Sequence, residues 1–388
     1  MMYLILQVEL LENAIFSRNL SPGNIYYSHN YIPGSVIWGY FAGKVVRKDK
    51  ALFKNYFFSD RLIFSNLYPV KTSGSLQFLS LPLPFSTYAC KYRPGLSEPP
   101  VDVERHGFRD YLIDESGLDN RCSNINCNAK LKEFSGGFYY KKGHNYYSFF
   151  PSMIVDMHNR IDEKSQTTPE DALYAYEVLS KGQSFKGYIL FSKDEFKRLA
   201  ALCEFKNSEV AIGKGRNNGY GLVRLSFLGS GILGQGERVI DKLKTQAQDN
   251  ICKDITFDNS MTLTITCLSD TILMDECGNF ITSIDVSVLA SLLNQSQGGY
   301  FKANNFELIR RFSGPVEIDG YNAKHNLPKN KVIAIRKGSV FYFEYKGNDK
   351  AGLKEKLLGL ELSGIGERKN EGFGSIAVNL SYHYENHL

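Results

Sequence analysis

The sequence predicts an α+β protein made of two tandem ferredoxin-like domains, with a loop-rich insertion in the first domain. Three observations predict this fold: a glycine-rich loop occurs twice, each copy lies between a helix-like and a strand-like segment, and each half opens on a strand. This order fits the βαββαβ arrangement of ferredoxin-like domains. We predict domains at residues 1–228 and 257–388, joined by a linker at residues 229–256.

The glycine-rich loop is the clearest internal repeat of the chain. Residues 212–221 read Ile-Gly-Lys-Gly-Arg-Asn-Asn-Gly-Tyr-Gly, and residues 365–374 read Ile-Gly-Glu-Arg-Lys-Asn-Glu-Gly-Phe-Gly. The copies align without a gap and share an isoleucine, three glycines, an asparagine and an aromatic residue. Such a match indicates one supersecondary unit used twice.

The segments around each loop supply the helices and strands. Ahead of the first loop, the residues from Ser192 to Glu195 form a capping-box pattern that opens a helix over residues 194–205. Ahead of the second loop, apolar residues at helical spacing predict a helix over residues 350–360. Strands are predicted at residues 3–10, 222–227, 261–268 and 375–380.

Composition narrows the class of protein. With 388 residues, of which 43% are hydrophobic, the chain can bury a core in each domain. No stretch approaches the roughly 18 apolar residues of a membrane span, and the N-terminal apolar run is interrupted and lacks a basic leader. We therefore expect a cytoplasmic protein with no membrane association. The net charge of +5 is too small to identify a nucleic-acid partner by itself.

The first glycine loop has the composition of a phosphate-binding loop. Glycines reach positive φ and leave backbone amides uncovered, so a polyanion can lie against them. Lys214, Gly215 and Arg216 lie inside this loop, Tyr220 follows, and no carboxylate is close in sequence. We predict that these four residues contact RNA, with a purely structural turn as the alternative.

The second loop has a weaker claim on a phosphate backbone. It mixes Arg368 and Lys369 with Glu367 and Glu371, and it ends on Phe373. We predict RNA contacts for Arg368, Lys369 and Phe373, and a structural turn is again the alternative.

The segment after the first strand contains a further candidate anion site. It reads Ile-Pro-Gly-Ser, which places Gly34 and Ser35 where a helix would start. Exposed amides at a helix N-terminus and the Ser35 hydroxyl would bind an anion. Trp38, Lys44 and Arg47 follow along the same helix and complete the predicted RNA contacts. The alternative is a simple helix entry.

Aromatic residues add weak support for RNA binding. The chain has 24 tyrosines and 26 phenylalanines against one tryptophan. Tyrosine pairs beside basic residues or asparagine, at 26–27, 139–140 and 146–147, could stack on bases. Half-exposed strand tyrosines are the alternative interpretation.

The first unit is about 100 residues longer than the second, which predicts an insertion at residues 86–145. Cys90, His106, Cys122 and Cys127 lie in this region among proline, glycine and polar residues. Zinc takes four thiolate or imidazole ligands, and a loop-rich insertion can gain its fold from such an ion. We predict a structural zinc site, with His144 as a substitute ligand and unligated cysteines as the alternative.

With its Ile-Pro-Gly-Ser helix start and its Gly-aromatic-Gly loop ending, the chain resembles the RAMP superfamily of CRISPR-associated proteins. The resemblance is closest to the double-RAMP subunit of type III-D effector complexes. Residues 157–162, 337–343 and 366–374 follow in the order that this family would have.

The resemblance implies a non-catalytic subunit that seats the five-prime, repeat-derived handle of the CRISPR RNA. Its partners would be the large signalling subunit and the first backbone RAMP subunit, with target RNA met only indirectly. His158 and Arg160 then become predicted RNA contacts, because arginine binds phosphate in a bidentate manner and histidine can stack or donate. A locally paired strand edge with Asp162 is the alternative.

Other functions stay open on the sequence. An RNA endonuclease needs a general base and a cation, and His29 or His158 with Lys44 or Tyr31 could supply them, although no spacing links these residues. A protein that only scaffolds assembly is a third class. The run at residues 229–234 matches G-x-G-x-x-G, but it lies between the repeats and is assigned to the linker.

Overall fold

The computed structural model describes residues 1–18, 24–59, 61–96, 106–113, 121–122, 124, 126–134, 136–159, 173–203, 205–234, 236–243, 261–295, 300–322 and 327–385. The predicted RNA contact Arg160 and its neighbour Asp162 lie outside these residues. Within them, no helix is both long and apolar enough to cross a membrane.

The first half of the chain contains more strand than helix. Its strands are β1 (Met2–Leu10), β2 (Ile25–Tyr26), β3 (Ile63–Phe64), β4 (Tyr68–Ser73), β5 (Leu76–Leu79), β6 (Leu81–Pro82), β7 (Thr87–Cys90), β8 (Phe108–Asp110), β9 (Leu131–Glu133), β10 (Phe138–Lys142), β11 (Asn145–Phe149), β12 (Met153–Asn159), β13 (Leu173–Leu179), β14 (Ser184–Phe191), β15 (Ser208–Ala211) and β16 (Leu222–Ile232). Its helices are α1 (Gly34–Lys48), α2 (Lys50–Phe57), α3 (Lys193–Cys203) and α4 (Val239–Lys242).

The second half is shorter and simpler. Its strands are β17 (Thr262–Cys267), β18 (Leu273–Met274), β19 (Phe280–Ile281), β20 (Phe306–Phe312), β21 (Pro315–Ile318), β22 (Tyr321–Asn322), β23 (Leu327–Pro328), β24 (Val332–Ile335), β25 (Val340–Tyr345) and β26 (Ile376–Val378). Its helices are α5 (Val286–Asn294) and α6 (Lys350–Ser363).

Each half contains a ferredoxin-like sheet, as predicted. In the second half the chain order β17-α5-β20-β25-α6-β26 is a βαββαβ unit, and the sheet order is β20-β25-β17-β26 with antiparallel neighbours. In the first half β1 pairs with β14 on one side and β16 on the other, and β3 and β4 lie beyond β14. The predicted α+β class is confirmed.

Local sequence signals account for the ends of these elements. The Ser192 amide donates to the Glu195 carboxylate at 3.0 Å and the Glu195 amide donates to the Ser192 hydroxyl at 3.4 Å, so the capping box ahead of α3 forms. Strand β16 continues to Ile232 and pairs Gly229 with Ile5 and Gly231 with Tyr3. These two glycines, which we expected in a linker, therefore belong to the sheet.

The insertion in the first half is larger than the predicted residues 86–145. Between β5 and β14 the chain supplies the strands of three small sheets, ordered β8-β7-β9, β11-β10-β6 and β12-β13-β2, the last of which also includes β2 from the segment before α1. The β12–β13 hairpin lies after residue 145 but does not join the ferredoxin-like sheet. Its alternating residues resemble those of a sheet strand, so the sequence did not separate it from the domain.

The insertion and both halves share buried contacts. One apolar cluster combines Leu79 and Phe138 of the first half with Leu268 and Tyr382 of the second. The Tyr382 hydroxyl is 2.8 Å from the Thr87 hydroxyl. The two domains are thus packed into one structure with a cleft between them.

Candidate nucleic-acid interface

The two glycine loops have the same backbone hydrogen bonds at matched positions. In each loop the first isoleucine amide donates to the last glycine carbonyl, Ile212 to Gly221 and Ile365 to Gly374, both at 2.9 Å. A Cβ on Gly221 or Gly374 would lie 2.0 or 1.9 Å from that isoleucine's carbonyl oxygen, and both glycines have positive φ. Only glycine fits there, so the repeat encodes a loop closed on itself.

Each loop is also fixed to the segment that follows the first strand of its own half. The matched bonds are Lys214 N to Ile15 O at 3.0 Å, Glu367 N to Ile272 O at 2.9 Å, Gly221 N to Asn13 O at 2.8 Å and Gly374 N to Asp270 O at 3.0 Å. These bonds hold the loop side chains at one end of each sheet.

In the first loop, the cations face aromatic rings and solvent. The Lys214 ammonium lies 4.5 Å from the Tyr26 ring centroid and 4.9 Å from that of Tyr176. Gly215 takes the left-handed region at φ 72°, and Arg216 is exposed in the following 3₁₀ turn. The loop therefore presents two cations beside tyrosines.

The structure brings together Tyr220 and His158, which the sequence left unconnected. The Tyr220 hydroxyl donates to the Asp156 carboxylate at 2.9 Å and lies 2.9 Å from His158 Nε2. Burial, and then the Asp156 hydrogen bond, raise the pKa of Tyr220 to about 12. The His158 ring stacks on Tyr174 with centroids 5.3 Å apart. These contacts of Tyr220 and His158 connect the β12–β13 hairpin to the first glycine loop.

The second loop differs because its charges are partly neutralised. Arg368 forms an ion pair with Glu371 at 2.5 Å and lies 4.6 Å from the Phe373 ring centroid. Lys329 approaches the same Glu371 carboxylate at 3.6 Å. The Asn370 side-chain amide donates to the Phe57 carbonyl at 2.8 Å, and this bond connects the second loop to the first half.

A cleft of about 740 Å³ lies between the halves and collects residues from both loops. The helix start contributes Pro33 and Ser35 to its wall. Its wall includes seven lysines and arginines, namely Arg18, Lys214, Arg216, Lys329, Arg336, Lys337 and Arg368. Four carboxylates oppose them, namely Asp270, Glu317, Asp319 and Glu371. The excess of cations makes the cleft suited to an anionic ligand.

Several predicted contacts lie elsewhere. The Gly34 amide donates to the Asn66 side chain at 2.8 Å, so it is not available to an anion. The Trp38 indole donates to the Phe57 carbonyl at 3.1 Å, and Lys44 reaches the Cys203 carbonyl at 3.5 Å. Trp38, Lys44, Arg47 and Lys369 do not line the cleft. A helix has several faces, and the sequence alone did not show which face of α1 is covered.

The inner wall of the cleft contains Arg18 and Arg336, which the sequence analysis did not name, beside His29 and Tyr31, which it named as candidate nuclease residues. Arg18 and Arg336 are exposed there, and the Lys337 ammonium lies 4.6 Å from the Tyr31 ring centroid. His29 lies 4.8 Å from the same ring. The only available signal was the basic pair at 336–337, and nothing in the sequence connected it with residue 18.

Burial and neighbouring cations control the ionisation of this inner wall. Burial, followed by the charges of Lys337 and Arg18, lowers the pKa of His29 from 6.5 to about 3. Burial also lowers the pKa of Lys337, while Asp270 acts in the opposite direction. His29 is therefore neutral near pH 7 and does not repel the adjacent cations.

The predicted metal ligands form a cluster in the insertion. The ligand atoms of Cys90, His106, Cys122 and Cys127 all lie within 4.8 Å of one another. Cys90 Sγ is 3.7 Å from Cys127 Sγ, and His106 Nδ1 is 3.3 Å from Cys90 Sγ and 3.5 Å from Cys122 Sγ. Sulfurs about 2.3 Å from a tetrahedral zinc lie roughly 3.8 Å apart, and sulfur and nitrogen ligands roughly 3.6 Å apart. The residues therefore fit zinc.

The surroundings of the cluster agree with a structural metal. It joins β7 to the turns before β8 and β9, and a small apolar cluster around Leu131 lies beside it. Burial opposes ionisation of Cys90, but hydrogen bonds from the Arg93 amide, His106 and the Tyr92 amide lower its pKa to about 6. His144 is exposed in the β10–β11 turn and is not part of the cluster.

Known proteins match this chain at the level of a family. A family model described as the RAMP superfamily matches residues 19–224. A chain from the type III-B Cmr-beta complex bound to cognate target RNA and AMPPnP is 14% identical, with 87% of this chain and 86% of that chain covered and a TM-score of 0.41. No curated protein matches the chain significantly.

Two further solved structures match over almost the whole length. A chain from a Cas6 product complex is 8% identical, with 97% of this chain and 99% of that chain covered and a TM-score of 0.42. A RAMP protein binding different RNA substrates is 11% identical, with 97% and 99% covered and a TM-score of 0.37.

Proposed function

The chain belongs to the RAMP superfamily, and from this premise we propose that it is a non-catalytic RNA-binding subunit of a type III CRISPR effector complex. It seats the five-prime, repeat-derived handle of the CRISPR RNA, as the double-RAMP subunit of a type III-D complex does. Its protein partners are the large signalling subunit and the first backbone RAMP subunit, and it meets target RNA only through the CRISPR RNA. The cationic cleft between the halves is the observation that carries this proposal.

The arginines of the cleft supply the phosphate contacts. Arg18, Arg216 and Arg336 are exposed along the cleft, and none forms an ion pair with another described residue. Guanidinium groups bind phosphate oxygens through two parallel hydrogen bonds. Three such groups from both halves can follow a bent single strand, which neither half would hold alone.

Aromatic rings beside these cations supply stacking surfaces. Tyr26 and Tyr176 lie against Lys214, and Tyr31, Tyr40 and Phe373 line the cleft. Stacking of one base on an aromatic side chain contributes about 1–3 kcal/mol and tolerates any base. Alternating rings and cations are typical of single-stranded RNA sites rather than of sites for small anions.

The second candidate function is metal-independent RNA cleavage, and one observation favours it. His29, Tyr31 and Lys337 adjoin one another in the cleft, and His29 is neutral, as a general base must be. However, a base with a pKa of about 3 is weak near pH 7, where the best general base has a pKa close to the pH. The low basicity of His29 therefore favours the non-catalytic role.

We assign structural zinc to Cys90, His106, Cys122 and Cys127. The ion would supply folding energy to the module of β7, β8 and β9, whose local apolar cluster around Leu131 is small, while Ala89 and Phe108 join the larger cluster shared with the second half. The module in turn contacts the second half, because the Arg310 guanidinium donates to the Tyr111 carbonyl at 2.6 Å. The zinc would thus stabilise the contact between the insertion and the second half.

Isolation of the chain from its native cells at mild salt, with sequencing of bound RNA and identification of bound proteins, tests the proposed function. Short RNAs that share one constant five-prime end, together with other CRISPR subunits, are expected. Incubation of the same preparation with precursor RNA separates the second candidate, since cleavage that is lost in His29→Ala would establish an endoribonuclease. Retention of the protein partners without RNA would instead indicate a scaffold.

A further inference from the structure

A smaller pocket of about 200 Å³, the inner pocket, adjoins the cleft. Arg18, His29, Arg336 and Lys337 line both the cleft and this inner pocket, so these four residues form the boundary between the two spaces. A strand whose phosphates lie along the cleft can therefore direct one base past the cationic wall into the inner pocket.

The size of the inner pocket restricts its occupant. Pockets for small molecules commonly measure about 300–1,000 Å³, a range that includes the cleft but not the inner pocket. A space of this size suits one heterocyclic ring system. The sugar and phosphate would remain at the junction, beside Arg18 and Arg336.

Two phenylalanines give the inner pocket surfaces for a flat ring. Phe85 is held in place, because its amide donates to the Gly338 carbonyl at 2.8 Å and Gly338 packs on its ring. The Arg336 guanidinium lies 5.5 Å from the Phe85 ring centroid. Phe150, which also lines the pocket, is 53% exposed. Exposed aromatic side chains of this kind stack on single-stranded bases.

The polar groups of the inner pocket select among bases. The Glu177 carboxylate lines the pocket and has no hydrogen-bond or ion-pair partner in the described part of the chain. An ionised carboxylate only accepts hydrogen bonds, whereas the Asn30 side chain, which also lines the pocket, can donate them. Guanine offers two adjacent N–H donors on one edge and the acceptors O6 and N7 on another, so it can satisfy both kinds of group.

We infer that the inner pocket binds one guanine base of a single-stranded RNA and so gives the cleft a sequence preference. The inference rests on the proposed function for the path of the strand. The same base could also come from a free guanine nucleotide, and the experiment distinguishes the two sources.

Fluorescence anisotropy on the full chain, with uridine oligonucleotides of about ten residues, tests the inference. A single guanine is placed in turn at each position, and inosine, which lacks the 2-amino group, replaces it in a second series. At one position guanine should bind about tenfold tighter than uridine, with inosine weaker than guanine, because a hydrogen bond to a charged group is lost. Guanosine monophosphate that displaces the all-uridine strand as well as the best guanine-containing strand does would point to a free nucleotide as the ligand.

Glu177→Gln should remove the preference for guanine over inosine. Glu276→Gln, at an exposed position of the second half that lines neither space, is the matched control and should keep the preference. Equal affinity for guanine and uridine at every position, with binding still weakened by salt, would overturn the inference alone. Absence of salt-dependent binding to every strand would overturn the proposed function itself.

Discussion

Gly34, the first residue of α1, faces Gly372 of the second glycine loop across the junction of the two halves. A Cβ on Gly34 would lie 2.9 Å from the Gly372 Cα, and a Cβ on Gly372 would lie 3.1 Å from the Gly34 Cα. The corresponding glycine of the first loop, Gly219, has open space at the same point. One copy of the repeated loop thus joins the domains, whereas the other copy is left open to a ligand.

Gly372→Ala should destabilise the protein by about 2–5 kcal/mol. Gly372 has φ 93°, a region that costs an L-residue about 1–2 kcal/mol, and its Cβ would lie 2.7 Å from the Asn66 side-chain oxygen, which adds roughly 1–3 kcal/mol of overpacking. The midpoint of urea unfolding measures this loss. Gly359→Ala, in α6 with no atom within 4 Å of its Cβ, should be neutral or slightly stabilising. Equal midpoints for the two variants would contradict the packing at the junction.

Arg216→Glu should weaken RNA binding and flatten its dependence on salt. Removal of one phosphate contact lowers the slope of log affinity against log salt by roughly 1. Titration of a single-stranded RNA at several salt concentrations measures the slope. Lys54→Glu makes the same change in charge on the exposed side of α2, outside the cleft, and should leave the slope unchanged. An unaltered slope in Arg216→Glu would remove Arg216 from the RNA site.

The features that the sequence predicted well are those encoded by neighbouring residues. The positive φ of Gly221 and Gly374 leaves one residue type at each position, so the repeat could be found by alignment of a few letters. The capping box at Ser192 and the strand alternation are equally local. Together they identify the helices and strands of both ferredoxin-like units.

The parts of the site that the sequence could not predict depend on contacts between distant segments. Arg18 and Arg336 meet only because the two halves pack together, and no pattern within either segment records that. The amide of Gly34 looked free for an anion, but Asn66 accepts its hydrogen bond. The four residues of the candidate metal cluster, by contrast, were identifiable because few residue types bind zinc.

His29 should make the protein less stable as the pH falls below neutrality. Its pKa is about 3 in the folded protein against 6.5 as the ordinary value, so between these limits the unfolded chain binds a proton that the folded chain does not. Stability is therefore fully present above pH 6.5 and is lost toward pH 3, by at most about 1.4 kcal/mol per pH unit.

Urea unfolding between about pH 6.5 and 5, where most carboxylates remain ionised, isolates this effect. His29→Gln should reduce the fall in stability across that range. His144→Gln, at an exposed position of the β10–β11 turn, should keep the fall seen in the parent protein. Identical pH profiles for His29→Gln and the parent would show that His29 has the same pKa in the folded and unfolded chains.

Cys122→Ser should release the bound zinc and loosen the insertion without unfolding the second domain. The cysteine sulfurs lie at separations that suit a tetrahedral ion, and loss of one ligand opens the site. Metal analysis measures the zinc, and hydrogen exchange locates the loosening. It should reach Asp110, whose carboxylate contacts the buried His383 ring at 2.5 Å, because β8 connects this residue to the ligand His106. Cys277→Ser, at an exposed cysteine of the second half, is the control and should keep its zinc. A parent protein that contains no zinc would contradict the metal site, and exchange confined to the ligand turns would show that the metal does not support the contact with the second domain.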